Sequence, residues 1–275
     1  MRSKYIVATL SAVIALGMTT AIAKADALGD VKARGKLICG TLNNVAPLGF
    51  QDAKTRQLVG HEVDYCKAIA AGLGVAVELK PLSLAARIPE IQQGNVDVVI
   101  AGLGYSEERA KQVEYSNTYF VSRQVISVKQ TSAIKTFDDL KGKKISAPQN
   151  STSAKYVETL IPSAQLVEFQ DAPAAFLAFQ QDKVDAISFG EVAVSGFRSK
   201  AEFPFRSLDK PLASENYGIG MKKGETALRD AVNGVLAKLE SNGGAKKIFD
   251  TWLGADTTYK MTKFFKVGEP ITSTQ

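Results

Sequence analysis

The chain has 275 residues, 45% hydrophobic and 23% charged, a globular composition that excludes fibrous, collagenous and disordered classes. Lys and Arg total 34 against 28 Asp and Glu, and this net +6 is spread along the chain rather than gathered in a stripe, so nucleic acid is not implied as a partner. One to two domains are expected, because a single core stops growing near ~250 residues.

The first 25 residues differ from the rest. Arg2 and Lys4 give a positive start, residues 5–18 are mostly apolar, and Ala21-Ile22-Ala23 and Ala23-Lys24-Ala25 place small residues where an export peptidase reads. Residues 1–25 are expected to be a cleaved secretory signal. The alternative, a membrane anchor, is disfavoured because the apolar run falls short of the ~20 residues a span needs and carries Thr9 and Ser11. Cleavage would leave 31 basic against 28 acidic residues. With no cysteine near the cleavage site, no lipid anchor is expected, and the mature chain is expected free in the periplasm as a monomer.

From residue 36 onward, short apolar runs alternate with amphipathic stretches, the pattern of parallel strands joined by helical crossovers, so the expected class is α/β. Strands are expected at 36–41, 75–80, 96–101, 125–129, 144–147, 165–169, 184–189 and 217–221. Helices are expected at 62–73, with Val63, Cys66, Ile69 and Leu73 on one face, and at 226–239, with Leu228, Val232, Val235 and Leu239. Extended segments around 117–129 and 214–223 join two strand–helix groups of similar size. Two crossings imply two lobes joined twice: 26–120 plus 224–275 as the first, 121–223 as the second, with the crossover segments as a hinge and a ligand cleft between the lobes. After Gly254 the periodicity is lost, and the tail is expected to wrap the surface.

Cys39 and Cys66 both occupy apolar slots. In an oxidising compartment they would form one disulfide worth roughly 3 to 4 kcal/mol in the chain-entropy picture. Two buried thiols fit the same setting. His61 is the only histidine and no metal-ligand spacing is present, so neither metal nor cofactor is expected.

Two helix starts carry the local chemistry. After a buried strand and a glycine-rich turn, Ser106 is placed to cap a helix that holds Glu107, Glu108 and Arg109 in its first turn. In the second group, Pro148-Gln149-Asn150-Ser151-Thr152-Ser153 leads from a strand into a hydroxyl-rich helix start. Helix N-termini present unpaired N–H groups to anions, and an arginine fork fits a carboxylate. The plainer reading makes Ser106 and Ser151 caps and pairs Arg109 with Glu114 on the surface.

Gly60-His61-Glu62-Val63-Asp64 before an amphipathic helix resembles the Gly-aromatic-Asp-Val-Asp signature of family 3 solute-binding proteins, the extracytoplasmic receptors of polar amino-acid ABC importers. Residues 87–97, 106–113, 115–120, 140–145, 184–186, 242–244 and 248–254 resemble that family's further blocks in order, covering nearly the whole mature chain. The resemblance implies a two-lobed periplasmic binding protein, or venus-flytrap, fold with an amino acid clamped between the lobes and an ABC permease as partner. It implies that Arg109 holds the ligand α-carboxylate, helped by Gly102, Ser151 and Thr152, with Leu84 against the ligand side chain and Phe50 near the mouth.

Departures from the family pattern qualify this. Gly104 stands where the family has Thr or Ser, Gly190 where it has the ammonium-binding Asp, Val45 where it has an aromatic, and His61 where it has Phe or Tyr. Glu191 or backbone carbonyls are the expected substitutes for the missing Asp, or the ligand is not a standard α-amino acid. Arg87, before Ile88-Pro89, resembles the arginine of glutamate/aspartate-binding relatives that reaches a side-chain carboxylate. Two cleft arginines without a protein acid would be costly to bury, which leans the ligand toward acidic amino acids or related carboxylates. The alternative leaves Arg87 on the surface or capping a loop. His61 and Trp252 are expected to pack rather than react. The expected function is a non-catalytic receptor; the alternative is an enzyme on the same scaffold, similar to cyclohexadienyl dehydratases, with Glu191 or His61 as general acid.

Overall fold

The computed structural model describes residues 26–272. The expected signal segment lies outside them. Helix α1 (Ala27–Arg34), capped by the Asp26 carboxylate, leads into β1 (Lys36–Leu42) and a small antiparallel sheet of β2 (Asn44–Val45), β3 (Gly49–Gln51) and β4 (Leu58–Val59). Helix α2 (His61–Leu73) follows, then β5 (Ala76–Leu82), α3 (Arg87–Gln92) and β6 (Val98–Val99). The single turn α4 (Glu107–Ala110) precedes the long strand β7 (Val113–Lys129). Beyond it lie β8 (Lys144–Pro148), α5 (Thr152–Leu160), β9 (Gln165–Phe169), α6 (Ala172–Gln180), β10 (Ala186–Gly190) and α7 (Glu191–Arg198). The chain then returns through β11 (Phe205–Ser207) and β12 (Ala213–Lys222) to α8 (Thr226–Ser241) and α9 (Gly244–Leu253).

The main sheet has the order β5-β1-β6-β12-β7-β10-β8-β9. Each half is wound alike: the first strand is central, the second joins its outer edge, and the third crosses back to its inner edge, all parallel. Between the halves, β7 and β12 pair with each other along most of their length, antiparallel. The expectation of parallel strands therefore holds within each half and fails at the two crossings. One crossing carries the chain out of the first half and the other brings it back, so they must run in opposite senses. The loops at the carboxyl ends of β1, β6, β8 and β10 converge where the strand order reverses, the place where open α/β sheets bind ligands.

Packing around the helices follows the apolar stripes. Cys66 and Ile69 of α2 and Leu228, Val232 and Leu236 of α8 are buried in one core with Leu37, Cys39 and Val98. A smaller core in the second half gathers Ile126, Val128, Ile145, Val157 and Ala186. Cys39 and Cys66 form a disulfide tying β1 to α2, which decides between the two readings of these cysteines. Gly60 begins α2 at φ +136° because the chain must fold back here: a Cβ would lie 2.3 Å from the Leu48 carbonyl oxygen. Beyond Gly254 the tail has no regular structure over the described residues but is held on the crossing strands, with Gly268 N–H donating to the Thr118 carbonyl at 2.8 Å and Thr118 N–H to that of Glu269 at 2.9 Å. Among the described residues no helix is long and apolar enough to cross a membrane, and no group of three or more His, Cys, Asp or Glu is placed to hold a metal.

Candidate functional site

A cavity of about 480 Å³ lies between the halves, with Leu84, Arg87 and Arg109 on one wall and Asn150, Ser151 and Thr152 on the other. Leu84, Arg87, Ser151 and Thr152 also border an inner void of about 20 Å³, closed by Gly102 and Gln124, which is roughly the space of one water.

Arg109 is half-buried. Ser106 caps the turn that carries it, accepting the Arg109 N–H at 3.2 Å. The guanidinium donates to the Gly104 carbonyl at 3.1 Å and across the cleft to the Asn150 carbonyl at 2.9 Å. Glu114, its alternative partner, pairs instead with Lys223 and Arg229. Because α4 is one turn long, it presents little of a helix dipole; the anion-binding capacity of this wall resides in the side chain.

Arg87 is buried rather than on the surface, and its donors are already committed. Nε donates to the Leu84 carbonyl at 2.8 Å, Nη1 to those of Ala101 at 3.1 Å and Gly102 at 2.6 Å, and Nη2 to that of Asn150 at 3.0 Å. Burial, and then repulsion from Arg109, brings its pKa down to about 10, still charged at neutral pH. It shapes the loop between β6 and α4 and meets the opposite half at the same carbonyl as Arg109. Asn150 reaches that position with φ +58°, a left-handed conformation that Asn tolerates better than most residues.

On the facing wall, Ser151 caps α5. Its hydroxyl accepts from the Ala154 N–H at 3.1 Å and donates to the Pro148 carbonyl at 2.6 Å. The Thr152 hydroxyl donates at 2.8 Å to Glu215, a residue of β12 that the sequence analysis did not single out.

Two buried acids stand behind the first wall. Glu62 accepts from the Gly102 N–H and the Tyr119 hydroxyl, each at 2.6 Å, so the signature acid of α2 holds the glycine turn of the site in place. Glu215 accepts from Thr152 and, at 2.6 Å, from Gln124 Nε2. Burial pushes both carboxyls up to about 7 against the ordinary 4.5. Gly104 is explained by Glu215: a Cβ there would lie 1.3 Å from Glu215 Oε1, so the space of the family hydroxyl is filled by a carboxylate. Gly190 turns its open side toward Ser122 Oγ, Tyr217 OH and Gln124 Nε2, at 3.0, 3.4 and 3.7 Å from an added Cβ.

The structure brings Arg109, Arg87, Gly102, Gly104, Leu84, Ser151 and Thr152 together, and it leaves out Phe50 and Glu191. Phe50 packs edge-on against Trp252 with ring centroids 5.9 Å apart and borders a separate cavity with α6 and α7. Glu191 opens α7 on a different face, 3.6 Å from Arg123, in a cavity with Arg198 and Arg206. The direction of β10 explains this: the residue after its last position turns away from the inner void. His61 is buried among Tyr65, Phe120 and Phe249, and burial lowers its pKa to about 3, which suits packing and not proton transfer at neutral pH. Trp252 donates through Nε1 to Asp64 at 2.7 Å.

Alternation would have found Glu215 and Gln124. Glu215 shares the buried phase of its strand with Tyr217, Ile219 and Met221, and Gln124 shares that of Ser122, Ile126 and Val128. Both fall just before the apolar runs used to place those strands.

Residues 37–255 match the family model described as bacterial extracellular solute-binding proteins, family 3. The ABC transporter glutamine-binding protein GlnH of Bacillus subtilis is 30% identical over 237 residues, spanning 85% of this chain and 86% of that protein. Among solved structures, an ancestral arginine-binding protein bound to arginine superposes with a TM-score of 0.76 at 35% identity, covering 80% of this chain and 99% of the other. The ancestral amino acid-binding protein AncCDT-1, a precursor of cyclohexadienyl dehydratase, superposes with the same score of 0.76 at 29% identity, covering 82% and 99%.

Proposed function

The chain belongs to the family 3 bacterial extracellular solute-binding proteins, and we propose that it is the periplasmic receptor that delivers a polar, zwitterionic α-amino acid to an ABC permease. It is an amino-acid-binding protein of ABC import, as its relatives are. In this reading the lobes are 26–120 plus 224–275 and 121–223, and the crossings in β7 and β12 form the hinge. Arg109 takes the α-carboxylate from one lobe and the first turn of α5 takes it from the other. Cleavage after residue 25 supplies the exported form.

The supporting observation is the shared target of the two arginines on the facing lobe. Arg109 and Arg87 both already reach across the cleft to one oxygen acceptor, the Asn150 carbonyl, at 2.9 and 3.0 Å. A ligand carboxylate in the same gap would replace a neutral acceptor with a charged one and strengthen closure, which is how a ligand biases an open–closed equilibrium. The lean toward acidic amino acids or related carboxylates is not part of this reading: Arg87 directs its hydrogen bonds to backbone carbonyls, and two buried acids, Glu62 and Glu215, lie beside the cleft.

Calorimetry of the mature protein with L-glutamine, L-arginine, L-cystine and L-glutamate tests this reading. At least one amino acid is expected to bind one-to-one and to be recovered unchanged by NMR. Arg109→Ala is expected to weaken that binding by about tenfold to a hundredfold with the fold intact. Near-normal affinity in the variant would remove Arg109 from the site, and a chemically altered ligand would favour the enzyme reading.

A further inference from the structure

Glu215 lies on the return crossing β12, fully buried, where both halves of the sheet meet. Its two carboxylate oxygens are treated differently. Oε2 is held by Gln124 Nε2 at 2.6 Å and Thr152 Oγ1 at 2.8 Å, from β7 and from α5. Oε1 has no hydrogen-bond partner among the described residues. A buried carboxylate oxygen without a donor is costly, and native structures retain such a group where something else completes it.

None of the neighbouring protein donors is directed at Oε1. Arg109 gives Nη1 to the Gly104 carbonyl and Nη2 to that of Asn150, and Arg87 gives all three of its nitrogens to carbonyls. Room for Oε1 exists only because residue 104 has no side chain, since a Cβ there would stand 1.3 Å from it. Gln124, Thr152 and Tyr217, all beside Glu215, also border the inner void, together with Gly102. In the reading above, Glu215, Gln124 and Thr152 share the 121–223 lobe and Gly104 belongs to the other, so parting of the lobes would draw Gly104 away from Oε1 and open the carboxylate to whatever enters.

Resting on the amino-acid reading above, we propose that Glu215 is the acceptor for the ligand's ammonium group, and that it makes the site select amino acids over carboxylates that lack a positive charge. Arg109 and Glu215 then form a dipolar pair matched to a zwitterion, with Gln124 and Thr152 orienting the carboxylate. A second carboxylate on the ligand gains nothing from Arg87 and meets the field of Glu215.

The test compares the tightest binder among L-glutamine, L-arginine and L-cystine with its counterpart carrying a hydroxyl in place of the α-ammonium. The wild-type protein is expected to prefer the amino acid by about a hundredfold, and Glu215→Gln to reduce that preference to about tenfold or less while leaving the hydroxy acid nearly unchanged. An unchanged preference in the variant overturns the proposal. Should Glu215→Gln not fold, the wild type decides: calorimetry near pH 6.5 in buffers of different ionisation heat should show a proton released on amino-acid binding and none on hydroxy-acid binding. The groups facing Glu215 are Arg87 from α3, Arg109 from α4, and Tyr115 and Tyr217 from the crossings; Arg87, Tyr115 and Tyr217 keep their charge state near that pH. Equal proton release for the two ligands overturns the proposal. Failure of every amino acid to bind the wild type would instead defeat the parent reading.

Discussion

In the first half of the sheet the charged groups behind the cleft are tied down by the protein itself: Arg87 by four carbonyls, Glu62 by Gly102 and Tyr119, and β1 to α2 by a disulfide. The second half is wound the same way, yet it brings a hydroxyl-lined helix start and the Asn150 carbonyl that both arginines reach, with no disulfide among the described residues. The contrast teaches that the two walls divide the work. One wall carries buried charges whose desolvation is met by fixed partners, and the other meets them with the neutral Asn150 carbonyl and the Ser151 and Thr152 hydroxyls, its Lys155 being paired outward with Glu158.

Breaking the charged wall should have the largest effect. Arg87→Ala removes charge-assisted hydrogen bonds to four backbone carbonyls and leaves a buried gap, and is expected to cost about 3 to 5 kcal/mol in denaturant unfolding. Its affinity for glutamate and glutamine is expected to fall by the same factor, since Arg87 shapes the loop rather than reading a side chain. Loss confined to glutamate would restore the acidic lean.

The staple comes next. Replacing Cys39 and Cys66 together by Ala opens a link spanning 27 positions and is expected to cost about 3 to 4 kcal/mol in the chain-entropy picture. Hydrogen exchange should then rise in β1 and α2 before β8 and β10. Exchange rising equally in both halves would show that they unfold as one unit and erase the contrast.

The smallest expected effect concerns pH. Glu62 and Glu215, at about 7 in the folded protein against 4.5, bind protons more tightly when folded, so their stability is present below 4.5 and is lost as pH rises through about 7. His61, lowered from 6.5 to about 3, acts in the opposite sense, its contribution being lost as pH falls below 6.5. Two acids outweigh one imidazole, so the empty protein should lose about 3 kcal/mol between pH 5 and 8, seen as a melting temperature lower by several degrees. Glu62→Gln should flatten the profile. A melting temperature that rises over this range in the wild type would show that the acids remain ionised inside.

Much of this was legible in the chain. The apolar runs at 36–41, 144–147 and 165–169 became β1, β8 and β9 with ends moved by at most one residue, and Ser106 and Ser151 are the caps their positions required. The polar end of a buried strand escaped. The 217–221 run omitted Glu215 and the 125–129 run omitted Gln124, because apolar content marks where a strand packs and not where its inward phase turns polar to meet a site. Glu191 was the wrong acid for the same reason: adjacency along the chain to Gly190 does not place a side chain in the cleft once α7 turns away.

By itself the sequence determined the periods of its elements, its caps, its family blocks and the arginine at the head of a glycine turn, since these depend on neighbours three or four residues away. Only the tertiary structure decided that Cys39 meets Cys66, that Arg87 is occupied by the backbone, and that Glu215 fills the space left by Gly104, because each joins residues from distant strands. Burial and pairing across such distances set charge, and charge in a closed cleft sets what enters it.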